Sequence, residues 1–382
     1  MHAVPKLKEM LEQLVATTSI SSTQPEFDHS NQGVIDLLAN WLEPAEFGVA
    51  IQPIADRPGK ANLIATRGRG EGGLVLSGHT DTVPVNPELW QSDPFRLSER
   101  NNRWYGLGAC DMKSFFALVL EALAPYAGVP FRHPLVVLAT ADEESSMSGA
   151  RALNSAQLMG SRFALIGEPT SLRPVTRHKG IMMLSLRITG SSGHSSNPAL
   201  GNSALDATAG VLSALDDFRQ LLRKQHQDLR FDVSYPTLNF GCIHGGDNPN
   251  RICDHVDLAF DLRTLPGMDN GAIKQQIEEL LRPGLQARGL RMDLTLMHPW
   301  VDAFDNSDPD FVNVMHGLTG AEPISVAFAT EAPFLSALGM ETVVMGAGSI
   351  DQAHQPNEFL PQDEIPRAVA IIRALIEKYC IN

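Results

Sequence analysis

The sequence predicts an α/β fold in which a mixed sheet is flanked by helices and a smaller α+β domain is inserted. Short, wholly apolar runs alternate with segments of helical periodicity, which is typical of a buried, partly parallel sheet with helical connections. From residue 181 the strands alternate apolar and polar residues, and strand, helix, two strands, helix and strand follow one another, as in ferredoxin-like modules. Near the C-terminus the first pattern resumes. We therefore expect a large domain over 1–177 and 296–382, interrupted by an inserted domain over 178–295.

The elements of the large domain follow from periodicity and turn signals. The predicted helices are 1–15, 34–42, 114–126, 149–158, 308–318 and 362–379. The predicted strands are 49–54, 62–66, 74–76, 135–140, 163–166 and 342–345. A polar loop is expected over 19–29 and a short segment over 104–108.

The inserted domain is expected to contain four strands and two helices. The predicted strands are 181–189, 237–243, 255–262 and 291–297, and the predicted helices are 203–224 and 270–281. A Ser- and Gly-rich loop over 190–196 contains His194, which in isolation would be interpreted as a solvent-exposed residue.

Composition excludes several classes of protein. Thirty Lys and Arg against 44 Asp and Glu give a formal charge of −14, which argues against a nucleic-acid-binding surface. The four cysteines form no C-x-x-C pair, so they indicate neither a zinc ribbon nor a disulfide framework, and reduced thiols are the simplest interpretation. The N-terminus lacks the apolar region of a signal peptide, and no apolar run approaches membrane-spanning length. We expect a soluble, cytoplasmic protein that binds neither nucleic acid nor membrane.

Histidine and acidic residues follow several predicted strands, and they form a candidate metal site. His79 and Asp81 are two residues apart in an extended segment, so the Asp81 carboxylate can lie behind the His79 ring and fix its tautomer. The other candidates are Asp111, Glu143, Glu144, Glu168 and His354. Any one of these acids could equally be solvated or cap a helix. Together they offer oxygen and nitrogen ligands without a thiolate, which suits zinc, cobalt or manganese, in two sites that share one Asp.

Four stretches in this order resemble the dinuclear zinc amidohydrolases, the family of acetylornithine deacetylase, succinyl-diaminopimelate desuccinylase and the aminoacylases. They are 78–84 (GHTDTVP), 106–113 (GLGACDMK), 141–144 (ADEE) and 167–170 (GEPT). The stretches 178–180, 235–239, 244–247, 250–253, 330–334 and 346–356 resemble the acetylornithine deacetylase branch in particular, so the resemblance covers essentially the whole chain. Cys110 departs from the residue found in many relatives, where it would either pack in the core or place a soft atom near the metals.

The resemblance implies a zinc-exopeptidase-like catalytic domain with two divalent metal ions, Zn²⁺ with Co²⁺ able to substitute. Asp111 would bridge the metals, His79 and Glu168 would complete one site, and Glu144 and His354 would complete the other. Asp81 would support His79, and Glu143 would be the general base. Which of Glu143 and Glu144 binds metal follows from the family alone, because the sequence itself leaves both assignments open.

The resemblance also implies roles for residues of the inserted domain. His194 would donate to the tetrahedral oxyanion, often across a dimer interface, and Arg251 would grip the substrate α-carboxylate. Without the resemblance, a surface ion pair is the alternative for Arg251. Asn239 is a further candidate in the same pocket. The implied activity is hydrolysis of N2-acetyl-L-ornithine by a homodimer formed through the inserted domain, with a sister deacylase of another N-acyl amino acid as the alternative.

Other enzyme classes lack their motifs here. The sequence has no G-x-S-x-G elbow of a serine hydrolase and no H-E-x-x-H of a zincin. The segment 346–348 lacks the third glycine of a dinucleotide fingerprint.

Overall fold

The computed structural model describes residues 4–306 and 308–382. The chain divides into two units. Unit 1 comprises Met1–Thr176, Asn306–Ile324 and Thr330–Asn382, and unit 2 comprises Arg177–Asp305 and Ser325–Ala329.

The α-helices and strands alternate along much of the chain. The helices are α1 Leu7–Ala16, α2 Gln32–Leu42, α3 Ser114–Leu123, α4 Ser148–Arg151, α5 Ala204–Gln225, α6 Asn270–Ala287, α7 Pro309–Thr319, α8 Ala332–Ala337 and α9 Ile365–Ile376. The strands are β1 Gly48–Pro53, β2 Ala61–Arg67, β3 Leu74–His79, β4 Ser98–Arg100, β5 Arg103–Tyr105, β6 Leu135–Thr140, β7 Phe163–Pro169, β8 Val175–His178, β9 Gly180–Thr189, β10 Thr237–Gly245, β11 His255–Thr264, β12 Arg291–Leu296, β13 Phe304–Asp305, β14 Ile324–Val326, β15 Glu341–Gly346 and β16 Phe359–Pro361.

Unit 1 is built on a mixed sheet in the order β1-β2-β6-β3-β7-β15. The four strands β6, β3, β7 and β15 are mutually parallel, whereas β2 is antiparallel to both of its neighbours, β6 and β1. Every residue of β3, β6 and β7 is buried, which explains why each strand begins as an apolar run rather than an alternating pattern. The predicted α/β fold with a mixed sheet flanked by helices is confirmed.

The core of unit 1 lies between this sheet and its helices. In α3 nine of the ten residues are buried, which is typical of a helix surrounded by other elements rather than lying at the surface. The helix packs against α1, α9 and β3, while α2 packs against β1 and β2. The sheet and the helices packed against it therefore support the loops that follow its strands.

Unit 2 has a four-stranded antiparallel sheet in the order β10-β11-β9-β12. Along β9 alternate residues are buried, namely Met182, Leu184, Leu186 and Ile188. These side chains share a hydrophobic core with the apolar faces of α5 and α6, including Leu215 and Ile277. The connection order is strand, helix, two strands, helix, strand, and β9, the first of these strands, lies in the interior of the sheet.

Several predicted elements differ from those observed. The predicted helix 149–158 is wrong: α4 ends at Arg151, and a separate 3₁₀ turn runs over Ser155–Leu158 because Asn154 adopts an extended conformation and caps that turn. Helix α6 continues to Ala287 with Pro283 inside it, beyond the predicted end at residue 281. The small sheet β16-β5-β4 was not predicted. The first three residues of the predicted helix 1–15 lie outside the described residues.

Within the part of the chain that the structure describes, no helix combines the length and the apolarity that a membrane crossing requires.

Candidate metal centre and active site

The candidate site forms where the parallel strands of unit 1 end. His79 is the last residue of β3 and pairs in register with Thr140, the last residue of β6. The loop after β6 carries Glu143 and Glu144, and Glu168 lies near the end of β7. Carboxyl ends of parallel strands share one edge of a sheet, so the strand order itself gathers these side chains.

The two predicted ligand sets are brought together in unit 1. The first consists of His79, Asp111 and Glu168 and is buried, and the second consists of Asp111, Glu144 and His354. In each set one ligand atom per residue lies within 4.8 Å of the others. A third set with the same spacing joins His79 to Glu143 and Glu144, which places Glu143 beside the first set.

Asp111 presents one carboxylate oxygen to each set. Its Oδ1 lies 3.2 Å from His79 Nε2, and its Oδ2 lies 3.9 Å from His354 Nε2. His354 Nε2 is in turn 2.9 Å from Glu144 Oε2, and His79 Nε2 is 3.9 Å from Glu168 Oε2. The side chain of Asp111 therefore has the orientation that a shared ligand requires.

The contact behind His79 differs from the expected one. His79 Nδ1 lies 3.0 Å from the backbone carbonyl oxygen of Asp81 and 3.7 Å from its carboxylate. The carbonyl can only accept, so Nδ1 carries the proton and Nε2 is left with its lone pair facing the site. The tautomer is the one expected, but the backbone fixes it.

The Asp81 carboxylate instead holds the acidic loop after β6. One of its oxygens accepts from the backbone N–H of Glu143 at 3.2 Å, and the other accepts from that of Glu144 at 3.0 Å. Asp81 is fully buried, and burial raises its pKa to about 6. This carboxylate thus links the end of β3 to the two acidic residues.

The electrostatics of the site favour a bound cation. Burial raises the pKa of Glu168 well above its usual value, and the charge of Asp111 raises it further. The pKa of Glu143 is raised in the same way, by burial and then by the charge of Glu168. Burial opposes protonation of His79, but its hydrogen bond to Asp111 and the neighbouring carboxylates hold its pKa well above the usual value. Buried carboxylates this close together repel one another, and a divalent cation relieves that repulsion, so the donor set fits metal.

Three buried acids adjoin the site, and none of them was predicted from the sequence to be a site residue. They are Asp142, Glu331 and Glu358. Asp142 binds the buried Lys60 ammonium at 2.8 Å, and Glu331 accepts from the hydroxyl of Thr140 at 2.9 Å. Asp142 and Glu331 lie inside the stretches 141–144 and 330–334 that resemble the family, and Glu358 follows the stretch 346–356. These positions were the available signal for a place near the site, but the composition does not indicate that the three acids are buried.

Cys110 is buried, and its thiol lies 3.6 Å from the carbonyl oxygen of Ser349. Among the described residues the ligand groupings contain no cysteine. Burial raises the pKa of this thiol well above its usual value. These contacts favour the packing interpretation over a soft metal ligand.

The remaining predicted residues lie in unit 2. His194 and Arg251 sit opposite each other in an isolated antiparallel bridge, which joins the loop after β9 to the segment before β11. Arg251 is exposed and lies 2.5 Å from Asp247, the surface ion pair considered as its alternative role. Asn239 is exposed on β10 and pairs in register with Asp261.

His194 has a defined tautomer. The backbone N–H of Ser196 donates to His194 Nδ1 at 3.2 Å, and the Ser196 hydroxyl lies 2.8 Å from the same atom. A backbone N–H can only donate, so Nδ1 is the acceptor and the neutral ring carries its proton on Nε2. Nε2 is thereby available as a hydrogen-bond donor.

The whole sequence is similar to those of known hydrolases. Residues 75–378 match the model of peptidase family M20/M25/M40. The chain is 43% identical over 380 residues to an acetylornithine deacetylase of Photorhabdus laumondii, covering 99% of this chain and 98% of the relative. It is 41% identical over 381 residues to the acetylornithine deacetylase of Pasteurella multocida, covering 100% of both.

Solved structures share the fold at much lower identity. Aminopeptidase PepT from Bacillus cereus aligns with a TM-score of 0.75 at 21% identity, covering 98% of each chain. A dinuclear metal binding peptidase of the M20 family from Bacillus subtilis aligns with a TM-score of 0.66 at 14% identity, covering 97% of each chain.

Proposed function

We propose that this chain, which belongs to peptidase family M20/M25/M40, hydrolyses N2-acetyl-L-ornithine to L-ornithine and acetate, a step of arginine biosynthesis. The observation that carries the proposal is the pair of ligand sets that share Asp111, in a chain similar over its whole length to acetylornithine deacetylases. The family alone does not specify the substrate, whereas three relatives at 41–43% identity over the whole chain are acetylornithine deacetylases.

Five side chains would hold two divalent cations. His79 and Glu168 would complete one site, Glu144 and His354 the other, and Asp111 would serve both. Zn²⁺ is the cation we propose, with Co²⁺ able to substitute, because the ligands are imidazole nitrogens and carboxylate oxygens without a thiolate. When bound, such cations polarise the amide carbonyl and make water available as a nucleophile near neutral pH.

Glu143 would be the general base. It lies beside His79 but outside the two predicted ligand sets, and Asp81 holds its backbone N–H. Its carboxylate would take a proton from the attacking water and pass that proton to the nitrogen of the leaving amine. The adjacent Glu144 contacts His354 instead, which supports the division of roles between the two acids.

Three residues of unit 2 would bind the substrate. His194 would donate from Nε2 to the oxyanion, a role that its tautomer supports. Arg251 would bind the α-carboxylate with its planar guanidinium, exchanging its exposed partner Asp247 for the substrate. Asn239 would add an amide contact.

We propose a homodimer formed through unit 2, and a cytoplasmic location. Unit 2 exposes large apolar side chains on α5 and on the edge strand β10, among them Leu205, Leu221 and Ile243. Burying such groups favours association, and two-fold dimers are the commonest assemblies. Ile243→Lys should shift the sedimentation coefficient to that of a monomer; an unchanged value would remove β10 from the interface. All four cysteines are free, which supports a reducing compartment.

The decisive experiment is a panel of N-acyl amino acids assayed with metal-reconstituted enzyme. We expect the highest kcat/KM for N2-acetyl-L-ornithine. A higher value for N-succinyl-diaminopimelate or for a neutral N-acyl amino acid would identify the chain as a sister deacylase.

Glu143→Gln is the matched variant for this panel. It should retain both metals and lose roughly 10²–10⁴-fold in kcat, because only proton transfer is removed. Loss of metal by Glu143→Gln but not by Glu144→Gln would exchange the roles of the two acids.

His194→Ala should lower kcat by about 10²–10³-fold with unchanged metal content. Mixing it with Glu143→Gln tests whether His194 acts within its own chain. Activity recovered on subunit exchange would show action in the partner, and no recovery after proven exchange would restrict His194 to its own chain or remove it from catalysis.

A further inference from the structure

We propose that Glu358 is a positioning residue that fixes the backbone of Asp111, and through it the affinity of the site for metal. This inference rests on the proposed metal centre but not on the identity of the substrate. Glu358 is not one of the five candidate ligands, and its side chain is only 2% exposed.

Three backbone N–H groups converge on this carboxylate. Its Oε1 accepts from Cys110 at 2.7 Å and from Asp111 at 2.9 Å, and its Oε2 accepts from Gly108 at 3.0 Å. All three donors lie in the turn that precedes α3. Burial raises the pKa of Glu358 to about 8, and the three N–H donors oppose that rise. Both carboxyl oxygens accept from the main chain, so the turn is held by three hydrogen bonds to one side chain.

The backbone direction at Asp111 decides where its carboxylate points. Its two oxygens face His79 and His354 at 3.2 and 3.9 Å, so a small rotation of the main chain would bring one closer and move the other away. A shared ligand tolerates such rotation less than a terminal one, because both contacts depend on the same torsions. The N–H of Asp111 itself is one of the three bonds to Glu358.

Glu358 is also firmly anchored. It directly precedes β16, whose Phe359 and Leu360 pair with Tyr105 and Trp104 of β5. The carbonyl of Glu358 accepts from the N–H of Gly106 at 3.2 Å. His354 lies four residues earlier on the same segment. The segment 354–358 therefore contains both the candidate ligand His354 and Glu358, the residue that binds the backbone of the shared ligand Asp111.

The variant Glu358→Gln distinguishes a role in positioning Asp111 from a general role in folding. Its amide has the size of the carboxylate but only one accepting oxygen, and its NH₂ would face an N–H that now has an acceptor. At least one of the three bonds is lost, while packing is preserved. Residues that orient metal ligands in this way typically change metal affinity by roughly 10–100-fold when replaced.

The experiment is a titration of the metal-free full-length chain with Co²⁺, followed by its visible absorption and repeated with Zn²⁺ in competition with a chelating indicator. For Glu358→Gln we expect a dissociation constant about 10–100-fold higher than in the unchanged protein. Glu364→Gln is the matched control, because Glu364 accepts a single N–H, from Gly348 at 2.8 Å, which an amide oxygen can replace. The control should bind Co²⁺ like the unchanged protein.

A second measurement keeps the test decisive. Amide hydrogen exchange of the metal-free variant should be faster at Gly108, Cys110 and Asp111, with α3 unaffected. Should Glu358→Gln not fold, Glu358→Asp takes its place. Aspartate retains the carboxyl group but is one methylene shorter, and we expect weaker Co²⁺ binding from this variant as well. Native Co²⁺ affinity in a folded variant would overturn the proposal. Because no substrate is used, that outcome is independent of whether acetylornithine is hydrolysed.

Discussion

His178 should make the folded chain sensitive to mild acid. Its ring is completely buried in unit 2 and stacks near Phe304, with the ring centroids 5.4 Å apart. Nδ1 lies 2.9 Å from the carbonyl oxygen of Lys179, to which it donates. Burial lowers the pKa of His178 from 6.5 to about 4, since the neutral ring is favoured where water is excluded.

The sign and size of the effect follow from this pKa. Between pH 6.5 and about 4 the unfolded chain binds a proton at His178 that the folded chain does not, so acidification favours unfolding. The contribution to stability is complete above pH 6.5 and is lost as the pH falls to about 4. A shift of this size corresponds to about 3 kcal/mol.

The assay is urea unfolding of the metal-free chain and of His178→Asn at several pH values from 7.5 to 4. Asparagine can still donate to the Lys179 carbonyl but cannot titrate. Between pH 7 and 4 the unchanged chain should lose about 3 kcal/mol more than the variant. Using metal-free protein removes acid-induced metal release from the comparison, and protonation of the candidate ligands cancels because it is common to both chains. Equal losses in both chains would show that His178 titrates normally and would refute the reasoning.

Three further perturbations test other parts of the structure. Asp81→Asn replaces one accepting oxygen by an NH₂ group that faces a backbone N–H. We expect kcat to fall about 10–100-fold, which corresponds to the loss of one charged hydrogen bond of about 1.5–3 kcal/mol. Full activity of the variant would exclude a supporting role for Asp81. Arg251→Lys should raise KM for acetylornithine at least about tenfold, because an ammonium cannot bind a carboxylate at two points; an unchanged KM would place Arg251 outside the pocket. Gly167→Ala would put a methyl group 2.1 Å from ring carbons of Phe115 and should destabilise unit 1 by about 1–3 kcal/mol in urea unfolding. Gly317→Ala is its control, because the added methyl group would meet no described atom within 4 Å beyond the nearby backbone of its own helix; equal stability of the two variants would contradict the packing argument.

The elements that the sequence predicted well are those whose local pattern and tertiary environment agree. β6 is apolar from Leu135 to Ala139 and wholly buried, and its observed bounds equal the predicted ones. The predicted strand 163–166 is extended to Pro169 because pairing with β15 continues past the apolar run. By contrast, β4 and β5 have three residues each, too few to show a period, and they exist because β5 pairs with both β4 and β16.

The candidate ligands were predictable because their chemistry is visible in the sequence, whereas their supports were not. A histidine or an acid after an apolar strand is a recognisable pattern, and the strand order brings His79, Glu144 and Glu168 to one edge. The sequence around Glu358 does not indicate that three backbone N–H groups, more than two hundred residues away in the chain, donate hydrogen bonds to its side chain. Likewise the proton on His79 Nδ1 is fixed by a main-chain carbonyl, which has no sequence signature.

The position of β15 has a consequence for synthesis of the chain. β15 lies beside β7 in the sheet but follows it by about 170 residues in sequence, with all of unit 2 in between. At roughly 5–20 residues per second, the ribosome needs about ten to thirty seconds to make that stretch. During this interval the apolar strand β7 has no partner on one side, and a bare strand edge is a template for pairing with other chains. We expect the nascent chain to be most prone to aggregation, and most dependent on chaperones, from the emergence of β7 until β15 has been made.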